Sequence, residues 1–158
     1  TNGAIPMGAV IASVEIYETF MQQGGPEYML EFQHGYTYSA NPVACADALA
    51  ALDILEREQL PERVAQLAPF FEDGLHQLQG MPWISDIRNY GFAGALTLQA
   101  SPGEPARRPF EVAMRMWEKG FYVRYGGDTV QLGLPFIIEK DEIDSLLTAL
   151  GETLCELA

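Results

Sequence analysis

Apolar residues recur at three- and four-residue spacings in several parts of the chain, as they do along one face of a helix. One such stripe predicts a helix that starts at Pro61 and stops at Gly80. Pro69 should kink or divide that helix, because proline removes one backbone hydrogen bond. The strongest amphipathic pattern lies near the end of the chain and predicts a final helix that packs on a sheet. Its apolar positions are Ile143, Leu146, Leu147, Leu150 and Leu154.

After Gly80 the pattern changes to an alternation with a period of two, which is typical of strands. The first two strand-like segments should pair as a hairpin, with a β-bulge at Gly91 or Gly94 as an alternative. Helices layered on a small, mostly antiparallel sheet would make the chain from about Leu60 onward an α+β module. The predicted strands are 83–90, 92–99, 121–125 and 129–134, and a polar loop at 101–109 and a helix up to Gly120 separate the two pairs.

The pattern before residue 60 predicts one strand and two helices. The stretch 8–13 is short, apolar and strand-like, and Ser13 should cap a helix over about 14–21. The glycine-containing connection 22–33 is expected to be mobile. An alanine-rich, apolar helix should then span about 42–58.

The segment 31–42 carries the densest polar chemistry of the chain. Asn41, followed by proline, is typical of a helix N-cap with proline at the first helical position. A turn with Gly35, Thr37 and Ser39 directly before a helix offers N–H groups, hydroxyls and a positive dipole end to an anion. The pattern is compatible with a phosphate site, but spacing alone slightly favours the alternative, a tyrosine-rich loop that only caps the helix.

Composition and charge exclude several classes of partner. The chain has 158 residues, 48% of them hydrophobic, which suffices for a real core. Nine basic and 22 acidic residues give a net charge of −13, so the overall field repels nucleic acid and anionic membranes. No apolar run approaches the length of a membrane span. Cys45 and Cys155 are predicted to be buried free thiols in a reducing cytosol rather than a disulfide or metal site, which indicates a cytoplasmic protein.

Two runs of sequence resemble one enzyme family. The run 32–42, Phe-Gln-His-Gly-Tyr-Thr-Tyr-Ser-Ala-Asn-Pro, resembles the cofactor loop of class III aminotransferases of the ω-amino acid (β-alanine):pyruvate group. It has Ala-Asn where many relatives have Gly-His before the proline. The run 1–10 resembles the segment that follows the Schiff-base lysine, which is therefore expected just upstream of Thr1. The resemblance covers nearly the whole chain.

The resemblance implies a fold, a cofactor and an activity. It implies a fold type I, pyridoxal-phosphate-dependent aminotransferase, with 1–59 as the C-terminal end of its α/β large domain and 60–158 as the α+β C-terminal small domain. The substrates would be an amino acid or amine donor and pyruvate. Thr37, with Tyr36 beside it, would bind the cofactor phosphate of the other subunit in a homodimer or higher homo-oligomer.

Arg124 is the candidate for binding substrate. It lies in an apolar and aromatic strand before a glycine turn, where its planar fork could bind a carboxylate in a bidentate manner. From the residues alone, an ion pair with Asp128 or a solvent-facing position is an equal alternative. The resemblance implies that Arg124 binds the carboxylate of the amino donor or of pyruvate. Arg88 is expected to be structural, and Arg107 and Arg108 to be solvated.

The lysine content bears on catalysis. Lys119 and Lys140 are the only lysines, and both local sequences predict surface positions. A Schiff-base lysine needs a desolvated or cationic pocket that frees its amine. The chain is therefore expected not to transaminate unaided. The alternative function is a non-enzymatic interaction module, a truncated paralogue or split subunit that dimerises with a full-length partner.

Overall fold

The computed structural model describes residues 1–23, 26 and 35–158. Most of the predicted mobile connection, and residues 31–34 of the polar segment, lie outside these described residues. The described residues divide into two compact units, Thr1–Glu58 and Gln59–Ala158. Within them, no helix is both long and apolar enough to cross a membrane.

The first unit contains two helices, α1 (Val14–Gln23) and α2 (Pro42–Arg57). The oxygen of Ser13 accepts a hydrogen bond from the backbone N–H of Ile16 at 3.4 Å, as its predicted capping role requires. The predicted strand over residues 8–13 is wrong. A strand needs a hydrogen-bonded neighbour, and no described segment of this unit pairs with it, so Val10 and Ile11 are 96% and 97% exposed.

The second unit is a four-stranded antiparallel sheet with three helices, which confirms the predicted α+β module. The strand order is β1-β2-β4-β3, and the first two strands form the predicted hairpin. In chain order the elements are α3 (Leu60–His76), β1 (Ile84–Tyr90), β2 (Ala93–Leu98), α4 (Arg107–Glu118), β3 (Arg124–Gly126), β4 (Thr129–Gly133) and α5 (Lys140–Glu156).

Several details of the second unit differ from the prediction. Helix α3 is not divided at Pro69, and it ends at His76 rather than at Gly80. Strand β3 begins at Arg124 rather than at residue 121. The irregularity in the β1–β2 pair lies between Ile84 and Asp86 rather than at Gly91 or Gly94. Helix α4 begins at Arg107, inside the predicted polar loop, and the Arg107 guanidinium forms ion pairs with glutamates on both sides of the helix start.

The core of the second unit lies between the sheet and its helices. Phe71 and Leu75 of α3 are fully buried there. Helix α5 shares this core but packs chiefly against α3 and α4, rather than directly on the sheet as predicted. Its first turn is fastened by the N–H of Glu139, which donates to the Glu142 carboxylate at 2.8 Å. The three residues of β3 are exposed, so antiparallel pairing with β4 holds this strand, and with it Arg124, in place.

Candidate functional site

The predicted phosphate-binding residues lie in a tight turn ahead of α2. The N–H of Ser39 donates to the carbonyl oxygen of Tyr36 at 2.9 Å. In return, the Ser39 hydroxyl oxygen accepts the N–H of Tyr36 at 3.1 Å. Thr37 lies inside the ring that these two bonds close. The structure therefore brings Tyr36 and Thr37 together in one turn.

The start of α2 is less available to an anion than the sequence suggested. The predicted N-cap is present, and the Asn41 carboxamide oxygen accepts the N–H groups of Val43 and Ala44 at 3.0 and 3.2 Å. Pro42 has no N–H to offer, and the N–H of Cys45 donates to the carbonyl of Asn41. The first amides of the helix are thus already satisfied, so an anion would depend on donors of the turn.

The turn retains donors that suit a phosphate oxygen. Thr37 is exposed, and neither its hydroxyl nor its N–H forms a hydrogen bond with any described residue. The side chains of Tyr36 and Tyr38 are 75% and 83% exposed. They line a cavity of about 690 Å³ that Ser39, Asn41 and residues 5–8 also border, whereas Thr37 is not among its lining residues. The hydroxyl and N–H of Thr37 could contact one side of a phosphate group. The first unit contains no lysine to complete a cofactor site.

Arg124 opens β3 in the second unit and is exposed. Among the described residues, no carboxylate pairs with its guanidinium. The alternative partner, Asp128, instead accepts the hydroxyl of Thr129 at 3.0 Å. The cation is therefore uncommitted within the described part of the chain.

The other six arginines are all engaged. Arg88, for example, donates to the Asp86 carboxylate at 2.7 Å and to the Thr97 hydroxyl at 2.8 Å, which suits its expected structural role. Arg108 donates to the carbonyl oxygen of Gln99 and lies over the Trp83 ring, so the expectation that it is solvated is wrong. The remaining ion pairs are Arg57 with Glu58, Arg63 with Glu139, Arg107 with Glu104 and Glu111, and Arg115 with Glu118 and Glu156.

A cavity of about 270 Å³ adjoins Arg124. Its wall includes Trp117 and Tyr122, whose rings meet edge to face with centroids 6.1 Å apart. Tyr125 also lines this cavity. Sequence reasoning missed Tyr122 as a wall of the site. The predicted strand 121–125 would have placed Tyr122 and Arg124, two residues apart, on one face, although β3 itself begins only at Arg124. The arrangement places a cation beside aromatic surface, and the N–H donors of that cation could bind a small carboxylate.

Neither lysine has the environment of a Schiff-base amine. The ammonium of Lys119, whose side chain is 21% exposed, lies 2.9 Å from Glu156 and 3.3 Å from Glu152. The hydrogen bond to Glu156 is the main cause that raises the pKa of Lys119 above its ordinary value, which keeps the amine protonated. Lys140 lies over the Phe70 ring at 5.1 Å.

The remaining titratable candidates do not form a second site. His76 shares a 2.9 Å hydrogen bond with Asn89, so it is a satisfied histidine. Both cysteines are free thiols, but the predicted burial is wrong: Cys45 is half-buried and Cys155 exposed. In the described part of the chain, no group of three or more His, Cys, Asp or Glu side chains could hold a metal ion.

Comparison with known proteins finds close relatives. A family model described as class-III aminotransferase matches residues 1–154. The chain is 58% identical over its full length to the β-alanine–pyruvate aminotransferase of Pseudomonas aeruginosa. It is 55% identical over 99% of its length to the ω-amino acid–pyruvate aminotransferase of Pseudomonas putida. The chain spans about 35% of the length of each relative.

Solved structures agree with these relatives. An adenosylmethionine-8-amino-7-oxononanoate aminotransferase from Methanocaldococcus jannaschii is similar with a TM-score of 0.78 and 29% identity, over 88% of this chain and 34% of that one. An amine transaminase from an uncultivated Pseudomonas species, solved in its PLP-bound form, is similar with a TM-score of 0.72 and 32% identity. That match covers 80% of this chain and 32% of the other.

Proposed function

The chain belongs to the class-III aminotransferase family, whose members depend on pyridoxal 5′-phosphate (PLP), and from this premise we propose that it is the C-terminal part of an enzyme that moves an amino group from an ω-amino acid or amine to pyruvate. The names of the two Pseudomonas relatives support pyruvate as the acceptor and an ω-amino acid such as β-alanine as the donor. In this proposal, residues 1–59 end the large PLP-binding domain and residues 60–158 form the small domain.

The observation that carries the proposal is the uncommitted guanidinium of Arg124. Each of the other six arginines is engaged by a carboxylate or by backbone carbonyls in the described residues. A planar fork with free N–H donors matches the two oxygens of a carboxylate. β-Alanine and pyruvate share a carboxylate, so one arginine would serve both half-reactions. The aromatic wall of Trp117 and Tyr122 would exclude water from one side of that ion pair.

Thr37 and Tyr36 would hold the cofactor. The hydroxyl and N–H of Thr37 would donate to the phosphate of PLP, and Tyr36 would line the cavity beside it. When bound, PLP supplies the electron sink for the transfer of the amino group. We assign Thr37 to the cofactor of a neighbouring subunit, which makes the working enzyme a homodimer or a higher homo-oligomer in the cytoplasm.

The lysine that the reaction needs would come from the part of the enzyme outside these 158 residues. Lys119 is held as an ammonium between two glutamates, and an amine must lose its proton before it can attack a carbonyl. The 158 residues alone would therefore be inactive. The alternative, a non-enzymatic module that completes a partner, would share this fold. A protein of that kind would not itself transfer an amino group.

The test is a pair of single-turnover half-reactions in the full-length enzyme that contains this chain. One uses β-alanine and the other an arylalkyl amine without a carboxylate. Arg124→Ala should slow the first by about 10- to 100-fold, the value of a lost hydrogen bond to a charged group, and leave the second nearly unchanged. Arg124→Lys should rescue only partly, because an ammonium cannot reproduce the two-pronged geometry.

Arg88→Ala is the matched control, since Arg88 is also an exposed strand arginine but is bonded within its own sheet. It should lower the melting temperature and affect both donors alike. Equal losses for both donors in Arg124→Ala, together with a lower melting temperature, would place Arg124 in the scaffold and refute the proposed role. Full-length protein without transfer from β-alanine to pyruvate would refute the function itself.

A further inference from the structure

The turn that carries Thr37 is closed by a single residue. Ser39 binds Tyr36 twice, with its N–H to the carbonyl at 2.9 Å and with its hydroxyl oxygen to the N–H at 3.1 Å. Thr37 and Tyr38 lie between the two bonded residues. Their backbone conformation, and with it the direction of the Thr37 hydroxyl and N–H, is therefore restrained from both ends.

Burial contributes little to this restraint. Residues 35–40 are all exposed. A single exposed hydrogen bond contributes little net stability, so the conformation of the turn depends on several bonds acting together. The Ser39 hydroxyl supplies the second bond. Ala40 follows with φ +56°, a left-handed conformation that costs energy for any residue with a Cβ.

The turn is also fastened to α2 in a fixed position. The N–H of Asn41 donates to the carbonyl of Tyr38 at 3.2 Å, while the Asn41 side chain caps the helix. The cap consumes the free amides of the first helical turn, so the helix itself cannot replace Thr37 as a donor. The direction in which Thr37 points therefore depends on the closure that Ser39 provides.

We propose that Ser39 is a positioning residue for cofactor retention: it acts through Thr37 by closing the Tyr36–Ser39 turn, and it does not itself bind the phosphate. This inference rests on the proposed function, because it assumes that Thr37 binds the phosphate of PLP. The Ser39 oxygen accepts from Tyr36 and so serves the turn, whereas the Thr37 hydroxyl is uncommitted among the described residues.

The test measures PLP dissociation from the full-length enzyme for Thr37→Ala, Ser39→Ala and the double variant. Thr37→Ala should weaken retention by about 10- to 100-fold, and Ser39→Ala by about fivefold. Because Ser39 acts through Thr37, the double variant should match Thr37→Ala within about twofold. Ser39→Thr keeps the hydroxyl and should restore retention. Ser13→Ala is the matched control, since Ser13 also accepts an N–H in the first unit but lies outside the turn.

Three results would overturn the inference. Retention in Ser39→Ala equal to that in Ser13→Ala would remove Ser39 from the site. Losses that multiply in the double variant would make Ser39 a direct phosphate ligand instead of a positioning residue. Unchanged retention in Thr37→Ala would refute the phosphate role of Thr37 in the proposed function, and the inference about Ser39 would fall with it.

Discussion

Gly94 of β2 is a position where one added methyl group should destabilise the core. A Cβ there would lie 2.8 Å from Cζ of Phe71 and 2.9 Å from Cδ2 of Leu75, closer than carbon atoms pack. Both side chains are fully buried and have no open space into which to move. Overpacking of this kind costs about 1–3 kcal/mol, and alanine recovers about 0.4–1 kcal/mol by restricting the unfolded chain. Gly94→Ala should therefore lower the free energy of unfolding, by up to about 2.6 kcal/mol.

Gly133 of β4 provides the matched control, because a Cβ there meets no heavy atom within 4 Å. Gly133→Ala should leave stability unchanged or raise it by up to about 1 kcal/mol. Urea denaturation followed by circular dichroism gives the free energy of unfolding for both variants. In a thermal scan, each kcal/mol should appear as a shift of about 2–4 °C.

A second variant isolates the cause of the loss. Phe71→Leu alone should destabilise the core, but in the Gly94→Ala background it frees the space that the new methyl group needs. The double variant should therefore lose less than the sum of the two single variants. Strict additivity, or equal stability of Gly94→Ala and Gly133→Ala, would refute the argument that the α3–β2 approach requires glycine.

Three further outcomes are expected. The isolated chain can be incubated with PLP and then reduced with borohydride. A peptide map should show no pyridoxyl group on Lys119 or Lys140. A stoichiometric adduct together with turnover of an amino donor would contradict this expectation. In the full-length enzyme, Ala40→Gly should raise the melting temperature, because it relieves a left-handed backbone conformation that costs about 1–2 kcal/mol. Ala46→Gly in α2 should lower the melting temperature, because glycine disfavours a helix interior. Shifts of the same sign in both variants would contradict this reasoning. Lys119→Met should lower the free energy of unfolding at pH 7. Because the folded-state pKa of Lys119 is raised, the difference in stability between the two proteins should persist up to the ordinary lysine pKa of about 10.4 and shrink as the pH rises further. A difference that stays constant at high pH would count against the ion pairs.

Periodicity and local signals in the sequence determined most elements of the fold. Asn41 before a proline predicted the start of α2, and the structure shows its side chain capping that helix. The stripe that includes Ile143 predicted α5, and alternation around Gly91 predicted the β1–β2 hairpin. These features depend on neighbours within a few residues, so the sequence alone carries them.

The candidate site was predictable only in part. The sequence and the family resemblance pointed to Thr37 and Arg124 and to the type of chemistry, and both assignments stay predictions. Which hydroxyl of the turn is engaged, and whether Arg124 pairs with Asp128, could not be read from spacing. Both depend on backbone directions that a handful of hydrogen bonds select among conformations of similar energy.

Tertiary structure decided whatever depends on a distant partner. Residues 8–13 have the composition of a strand, but no described segment of their unit pairs with them, because a strand exists only with a hydrogen-bonded neighbour. Pro69 should kink or divide a helix, yet α3 is undivided there, and its residues Phe71 and Leu75 are buried in the core. Gly94 is permissive in sequence terms and becomes necessary only where α3 approaches the sheet. Local propensity thus favours each element, and burial against residues far away in the chain decides which of these elements form.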